Sequence, residues 1–371
     1  MAQKGFEIGR LDGDAALLMW RLWFSRASLL LTVISSLAQP VGEWARMKPI
    51  VPRGYLCLRT PQPIVVDGRL EEAAWQHAAW TEDFVDIEGP SKPAPLYRTR
   101  AKLLWDSQYL YIAAELVEPH IWGTITQRDA VIFQDPDFEV FIDPDGDGHQ
   151  YYEFEMNALN TVWDLRLVKA YKDGGPALNE WDIAGLRTAV HINGTLNHSK
   201  DIDRSWTLEI AMPWKALQEF SRQACPPREG DRWRIDFSRV EWQIDASNGY
   251  RKIPNTPENN WVWSPTGIID MHRPERWGLL EFTRATRATR EVKPGPVENA
   301  RDVLQEVYYA QRVFQAKEKR FASLKELALP SLPVGLEVRL TSEGWEASLP
   351  VKLGKRKRVA RIRQDALFRV E

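Results

Sequence analysis

Between Ile64 and Phe282 the sequence is a succession of short apolar segments separated by turn residues. Residues 97–105 and 109–117 flank the polar tripeptide 106–108, a pattern typical of a β-hairpin. Apolar and polar side chains alternate within 206–210 and within 233–237, which predicts one buried face and one solvated face for each strand. About nine or ten such segments predict a mainly β protein built as an antiparallel β-sandwich, with one short helix near residues 69–80.

The N-terminal end predicts export. Arg21 and Arg26 precede an apolar run over 27–37, and residues 36–38 form a small-x-small cleavage site. We therefore predict a signal peptide over 1–38, with Met19 as the true start, and a secreted, periplasmic or cell-surface protein. The alternative is a buried or amphipathic N-terminal helix. Residues 39–60 contain three prolines and are predicted to be a linker.

The sandwich is predicted over residues 61–283. The sequence after residue 283 predicts a separate C-terminal attachment to it. A linker over 284–297 contains the sequence Pro-Gly-Pro. Apolar residues then recur at three- and four-residue steps, which predicts a long amphipathic helix over 298–329 and a β-hairpin extension over 334–371. The apolar stripe of this helix needs a partner surface, either the sandwich or another chain. Self-association or a hydrolase partner could therefore involve the helix.

Composition excludes several classes of function. The 49 basic and 51 acidic residues nearly balance, so the chain as a whole has no field that would attract nucleic acid. The apolar run 27–37 is too short to span a bilayer comfortably. Cys57 and Cys225 lack metal-ligand spacing, and whether they pair is left open.

Five phrases of the sequence stand in the order found in the family 9 carbohydrate-binding modules, which the region from 66 to 278 resembles. They are VDGRLEEAAW at 66–75, LWDSQYLY at 104–111, FEVFIDP at 138–144 with YYE at 151–153, WTLEIAMPW at 206–214, and RWG at 276–278. The resemblance implies an immunoglobulin-like, DOMON-related sandwich that binds oligo- or polysaccharide without catalysis. It also implies a role in polysaccharide breakdown beside glycoside hydrolases.

The resemblance further implies where a sugar would bind. Glu139 matches the sugar-contacting glutamate of the family, although a solvent-facing strand residue is an equal alternative. Phe133 stands where a tryptophan is expected, Glu155 where an arginine is expected, and His272, after Met271, where a second aromatic residue is expected. These departures put the usual terminal-sugar specificity in doubt.

Other residues are predicted to complete the sugar site. Asn157 and Arg239 are predicted to fix hydroxyl groups beside Glu139. The indoles of Trp261 and Trp263 share a strand face at a spacing of two residues, so they are candidate stacking surfaces, with packing over the sheet as the alternative. Trp122 and Trp242 are further candidates.

The turn over residues 143–148 predicts either a cation site or a hairpin. Asp143, Asp145 and Asp147 have the oxygen-ligand spacing of a calcium loop, but Phe154 occupies the place where an EF-hand needs glutamate. No cofactor is required by this pattern, and a structural calcium ion is allowed. The favoured alternative is a polar glycine-rich hairpin turn.

Catalysis is not predicted for this chain. The carboxylates of Glu139, Glu153, Glu155 and Glu241 could support a hydrolase acting on O-glycosyl bonds, but no phrase singles out a pair. A solvated sheet face is the favoured interpretation of Glu153 and Glu155. Two alternatives remain: a haem-binding DOMON-type sandwich using Met156 with His191 or Met271 with His272, and a cell-surface scaffold that assembles through the C-terminal helix.

Overall fold

The computed structural model describes residues 41–288 and 290–371, so the predicted signal peptide and Met19 lie outside the described residues. The helices are α1 (Val41–Met47), α2 (Ala73–His77), α3 (Trp214–Leu217) and α4 (Pro296–Glu318). The first ten strands are β1 (Gly54–Arg59), β2 (Val85–Asp86), β3 (Thr99–Trp105), β4 (Tyr109–Val117), β5 (Asp137–Asp143), β6 (His149–Asn157), β7 (Val162–Lys169), β8 (Ala177–Leu178), β9 (Arg187–Asn193) and β10 (Ser205–Pro213). The others are β11 (Arg232–Glu241), β12 (Ile244–Asp245), β13 (Arg251–Lys252), β14 (Asn259–Val262), β15 (Gly278–Thr283), β16 (Glu337–Leu340), β17 (Trp345–Leu353), β18 (Arg356–Arg363) and β19 (Phe368–Val370).

The main sheet curls into a sandwich, as predicted. Its strand order is β8-β7-β6-β5-β11-β15-β1-β3-β4-β10-β9, with β14 on β11 and β2 on β14. Its pairs are antiparallel except those of β1, which runs parallel to both β15 and β3. Side chains from both halves fill one core between them, including Trp206, Phe138, Phe237 and Phe282.

The predicted alternation along β10 is present, but its polar face is not solvated. Trp206, Leu208 and Ile210 point into the core. Glu209 points to the other face and is nevertheless buried, because the segment leading to α2 covers it. The alternation therefore predicts which side chains share the polar face of a strand. Whether that face is exposed to solvent depends on the segments that pack on it.

The predicted linker over 39–60 is wrong, because most of its described residues, 41–60, belong to α1 and β1. Residues 54–59 form β1 inside the main sheet, and Cys57 is fully buried there. Trp44 of α1 stacks on Tyr309 of α4, with ring centroids 5.4 Å apart. Pro49 and Pro52 lie between α1 and β1, so neither proline interrupts a helix or a strand.

The C-terminal segment forms a second, smaller unit around α4. Strands β16–β17–β18–β19 make a four-stranded antiparallel sheet, larger than the predicted hairpin, and α4 packs on β17 and β18. The helix also ends earlier than predicted, at Glu318 rather than 329, where Lys319 adopts a left-handed conformation. Gln311 then exchanges two hydrogen bonds with the backbone of Ala322, which folds the chain back onto the helix.

The structure also bears on the pairing of the two cysteines and on membrane-spanning helices. Cys57 and Cys225 are both free thiols. Over residues 41–288 and 290–371, no helix has the length and apolar character needed to cross a membrane.

Candidate functional site

Four carboxylates lie together on the outer face of β5 and β6. Glu139 pairs across the strands with Glu155, while Glu153 lies one step along β6 and Asp137 begins β5. Their neighbours Phe138, Val140 and Ile142 point into the core, so the carboxylates point away from it. We call Asp137, Glu139, Glu153 and Glu155 the acidic floor.

The acidic floor is buried, contrary to the solvated face predicted for Glu153 and Glu155. The four residues retain between 0% and 6% of their accessible surface. Burial raises the pKa of Glu139 to about 7. Burial, and then the charge of neighbouring floor carboxylates, raises the pKa values of Asp137, Glu153 and Glu155 well above their usual range.

Aromatic rings surround this floor. The Phe133 amide donates to Glu155 Oε2 at 3.0 Å, and the Trp242 indole donates to the carbonyl of Phe133 at 3.0 Å. Trp163 is the cross-strand neighbour of Glu155 on β7. On the other side, His272 lies 4.0 Å from Glu153, and the ring of Tyr171 lies 4.5 Å from that of His272. We call Phe133, Trp163, Tyr171, Trp242 and His272 the aromatic rim.

Tyr171 is the most exposed member of the rim, with 54% of its surface accessible. Burial, and then the charges of Glu153 and Glu155, raises the pKa of its phenol, which places the ring within electrostatic reach of the floor. A half-exposed ring beside buried acceptors is an arrangement that suits a ligand with an apolar face and several hydroxyl groups.

His272 is held neutral beside the floor. Burial lowers its pKa to about 4; the nearby Arg273 acts in the same direction, against the opposing influence of Asp270. Its Nδ1 lies 2.9 Å from the hydroxyl of Tyr151. The neutral imidazole therefore forms one side of the candidate site and can make hydrogen bonds there. It becomes charged only in acid.

This burial predicts a pH dependence of stability. As pH falls from about 6.5 to about 4, the unfolded chain protonates at His272 before the folded protein does, so stability is lost. We expect the wild type to lose about 2 kcal/mol more than His272→Asn between pH 7 and pH 4.5, measured by urea unfolding. Parallel stability curves for the two proteins would contradict this prediction.

Three of the predicted site residues belong to the sandwich interior instead. Trp261 and Trp263 share a face as predicted, but that face is the core, where they retain 3% and 0% of their surface. They therefore present no ring to a ligand. Arg239 pairs with Trp261 across β11 and β14, and it binds Glu118 and Glu241. Because Ser238 is the residue opposite Glu139, its neighbour Arg239 points to the other side of the sheet.

Asn157 lies beside the floor but is already fully used. Its amide group donates to the carbonyl of Ile125 and to Asp135 Oδ2, and its side-chain oxygen accepts from the amides of Leu159 and Thr161. It holds the ends of two loops, so it is not available to fix a sugar hydroxyl.

The carboxylates of the 143–148 turn converge but are engaged by the turn itself. Asp143, Asp145 and Asp147 bring oxygen atoms within 4.8 Å of one another, as a calcium site requires. However, both oxygens of Asp143 accept backbone amides, from Gly146 and Gly148, and Arg222 lies 3.9 Å from Asp147. The donor set fits a closed hairpin turn better than a cation, and calcium at this turn stays a prediction.

Sequence reasoning missed the residues that complete the site. Tyr171 follows β7 in a short 3₁₀ turn and meets His272 only because two distant loops fold together. Asp137 is not among the site residues predicted above, yet the structure groups it with Glu139 and Glu155. Its place two residues before Glu139 is a signal that could have put it on the same strand face.

Comparison with protein-family models identifies a family that matches this chain. The family model described as carbohydrate family 9 binding domain-like matches residues 66–253, half of the chain. A search of curated proteins gave no significant match.

Two of the solved structures that are similar to this chain are family 9 modules. A carbohydrate-binding module of family 9 from Caldicellulosiruptor kristjanssonii, in complex with cellotriose, shares 14% identity at a TM-score of 0.43 and covers 65% of this chain and 100% of its own. A family 9 module from the same organism, in complex with glucose, shares 15% identity at a TM-score of 0.42 and covers 64% of this chain and 100% of its own.

Proposed function

This chain belongs to the carbohydrate family 9 binding domain-like proteins, and from that premise we propose that it binds oligo- or polysaccharide without catalysis. The binding site we propose is the acidic floor with its aromatic rim. The observation that carries this choice is the juxtaposition of buried carboxylates with the half-exposed ring of Tyr171.

The chemistry of the site supports a sugar ligand. Carboxylate oxygens accept hydrogen bonds from adjacent hydroxyl groups, and such charge-assisted bonds are stronger than neutral ones. An aromatic ring covers the C–H face of a pyranose at a small cost in conformational entropy. Phe133 lies against Glu155, and Tyr171 lies beside His272, so rings are available at two sides of the floor.

We further propose a secreted, periplasmic or cell-surface protein that supports polysaccharide breakdown beside glycoside hydrolases. The proposed location rests on the apolar run 27–37, and the proposed role rests on the resemblance to the family 9 modules. Any hydrolase partner or self-association would use a surface other than the apolar face of α4, because that face already packs on β17, β18 and α1.

The haem alternative has little support in the geometry. Met156 points into the core, whereas Val190 and Ile192 pack on that core and so turn His191 the other way. Met271 and His272 are adjacent residues, and His272 Nδ1 is engaged with Tyr151. An absorbance spectrum with a Soret band would revive this alternative.

The test of the proposed function is calorimetric titration of the protein with xylan, cellulose and pectin oligomers. Binding of at least one of these saccharides supports the proposal. Absence of binding to all of them, with calcium present, would refute it.

Within this test, Tyr171→Ala should weaken the binding of the preferred oligosaccharide roughly tenfold, because it removes a stacking surface worth about 1.5 kcal/mol. Tyr171→Phe is the matched control and should bind nearly as well as the wild type. Since Tyr171 is more than half exposed, neither variant should lower the unfolding temperature. Unchanged affinity in Tyr171→Ala would show that the ligand binds elsewhere.

A further inference from the structure

Three carboxylates of the acidic floor converge on one point. Asp137, Glu139 and Glu155 each offer an oxygen atom, and these atoms all lie within 4.8 Å of one another. The three residues retain 0%, 5% and 1% of their accessible surface. Burial and proximity make it costly to ionise all three carboxylates, which is why their pKa values are raised, and a bound cation would offset that cost.

No side-chain cation compensates them within residues 41–288 and 290–371. The only ion-pair contact of the acidic floor in this part of the chain is the one between His272 and Glu153, and His272 is held neutral.

Two other carboxylate clusters in the same part of the chain each have an arginine. Arg128 contacts Asp129, Asp164 and Asp182, and Arg222 approaches the 143–148 turn. Within the described residues, the cluster of Asp137, Glu139 and Glu155 has no such arginine contact.

Two buried oxygen atoms at this cluster also lack partners in the described structure. Asp137 accepts the amide of Val240 with Oδ1 at 3.1 Å, but its Oδ2 is buried without a hydrogen bond. Ser238, the cross-strand neighbour of Glu139, is fully buried; its hydroxyl lies near enough to Glu139 to lower the pKa of that carboxylate, yet it forms no hydrogen bond of normal geometry. Buried polar atoms without partners are rare in folded proteins, and a missing ligand is one reason for them.

We propose that Asp137, Glu139 and Glu155 bind a divalent cation of the calcium type at the floor of the candidate site. Calcium ions take oxygen ligands at about 2.3–2.6 Å, so two ligands on opposite sides of the ion lie about 4.6–5.2 Å apart. The spacing of the three carboxylates fits within that diameter. The amide of Phe133, which donates to Glu155 Oε2, fixes one ligand in place.

The cation has a consequence for the ligand that rests on the proposed function. A calcium ion held on one side by three carboxylates keeps coordination positions open on the side of the aromatic rim. Adjacent sugar hydroxyls are suitable ligands for those positions, so saccharide binding would depend on calcium.

The test is calorimetric titration of calcium chloride into the metal-stripped full chain, together with thermal unfolding with calcium or with a chelator. Calcium should bind the wild type and raise its unfolding temperature. Glu155→Gln and Asp137→Asn keep the shape of each side chain and remove one charge, so each should weaken calcium binding by at least roughly tenfold. In chelator both variants should unfold at or above the wild-type temperature, because a mutual repulsion has been removed.

Asp145→Asn is the matched control, since it removes a carboxylate from the 143–148 turn instead. It should leave the floor affinity unchanged, and any binding that it does abolish would belong to the turn. The proposal is overturned if calcium does not bind the wild type, or if Glu155→Gln retains the full wild-type stoichiometry and affinity. Calcium binding of the expected kind without saccharide binding would refute only the proposed function.

Discussion

Replacing Arg239 with alanine should destabilise the protein by about 3–5 kcal/mol, because it leaves two carboxylates uncompensated in the interior. The guanidinium donates to Glu118 at 2.5 Å and to Glu241 at 2.6 Å, and it also donates to the hydroxyl of Thr99 and the carbonyl of Val117. Burial, and then the charge of Glu241, already raises the pKa of Glu118 well above its usual range. Urea unfolding followed by tryptophan fluorescence measures the loss.

The control for Arg239→Ala is Arg98→Ala, which removes an arginine that pairs with one glutamate, Glu115, and has 45% of its side chain exposed. That change should cost no more than about 1 kcal/mol, because solvent screens the pair. The triple variant Arg239→Met, Glu118→Gln, Glu241→Gln should recover part of the stability that Arg239→Ala loses. A cost below about 1 kcal/mol for Arg239→Ala would show that the interior tolerates the two carboxylates.

Glu209→Ala should also be strongly destabilising, by about 3 kcal/mol, because three donors lose their acceptor. Glu209 Oε2 accepts the amides of Asp67 and Gly68 at 2.9 Å, and Oε1 accepts the indole of Trp75 at 2.8 Å. The turn cannot easily move to find other partners. Gly68 has φ +84°, and a Cβ atom there would lie 2.6 Å from the amide nitrogen of His191.

Two measurements test this role of Glu209. Urea unfolding gives the free energy, and amide hydrogen exchange over residues 67–75 should show lost protection in Glu209→Ala. The control is Glu115→Ala on the neighbouring strand, whose partners Arg98 and Arg100 remain partly solvated, so its cost should stay within about 1 kcal/mol. Equal costs for the two variants would contradict the view that Glu209 anchors the turn.

Glu209 also connects two of the sequence segments that carry the family resemblance, 66–75 and 206–214. The turn residues Asp67 and Gly68 and the indole of Trp75 bind one carboxylate in the middle of the phrase at 206–214. Two of the phrases that carry the family resemblance therefore meet in space. In this chain the two phrases therefore carry a structural contact of the fold.

The sequence could not locate the whole candidate site, for a reason that particular residues make clear. Glu139 and Glu155 were identified individually, because each lies at a strand position with a counterpart in the family. Trp261 and Trp263 are candidate stacking surfaces in the sequence because period two indicates a shared strand face, yet the period does not indicate whether that face is covered. Tyr171 had no local signal, because its contact with His272 joins residues a hundred positions apart in the chain.

The β-sandwich could be predicted from the sequence alone, because alternation and turn residues are local properties that act on each strand separately. The sequence also predicted that polar side chains would line the faces turned away from the core. Which of those faces are buried, and which carboxylates lie next to each other, became clear from the three-dimensional structure. That difference arises because burial and charge clustering depend on the packing of distant segments, as where Asp137, Glu139 and Glu155 meet on one face without an arginine.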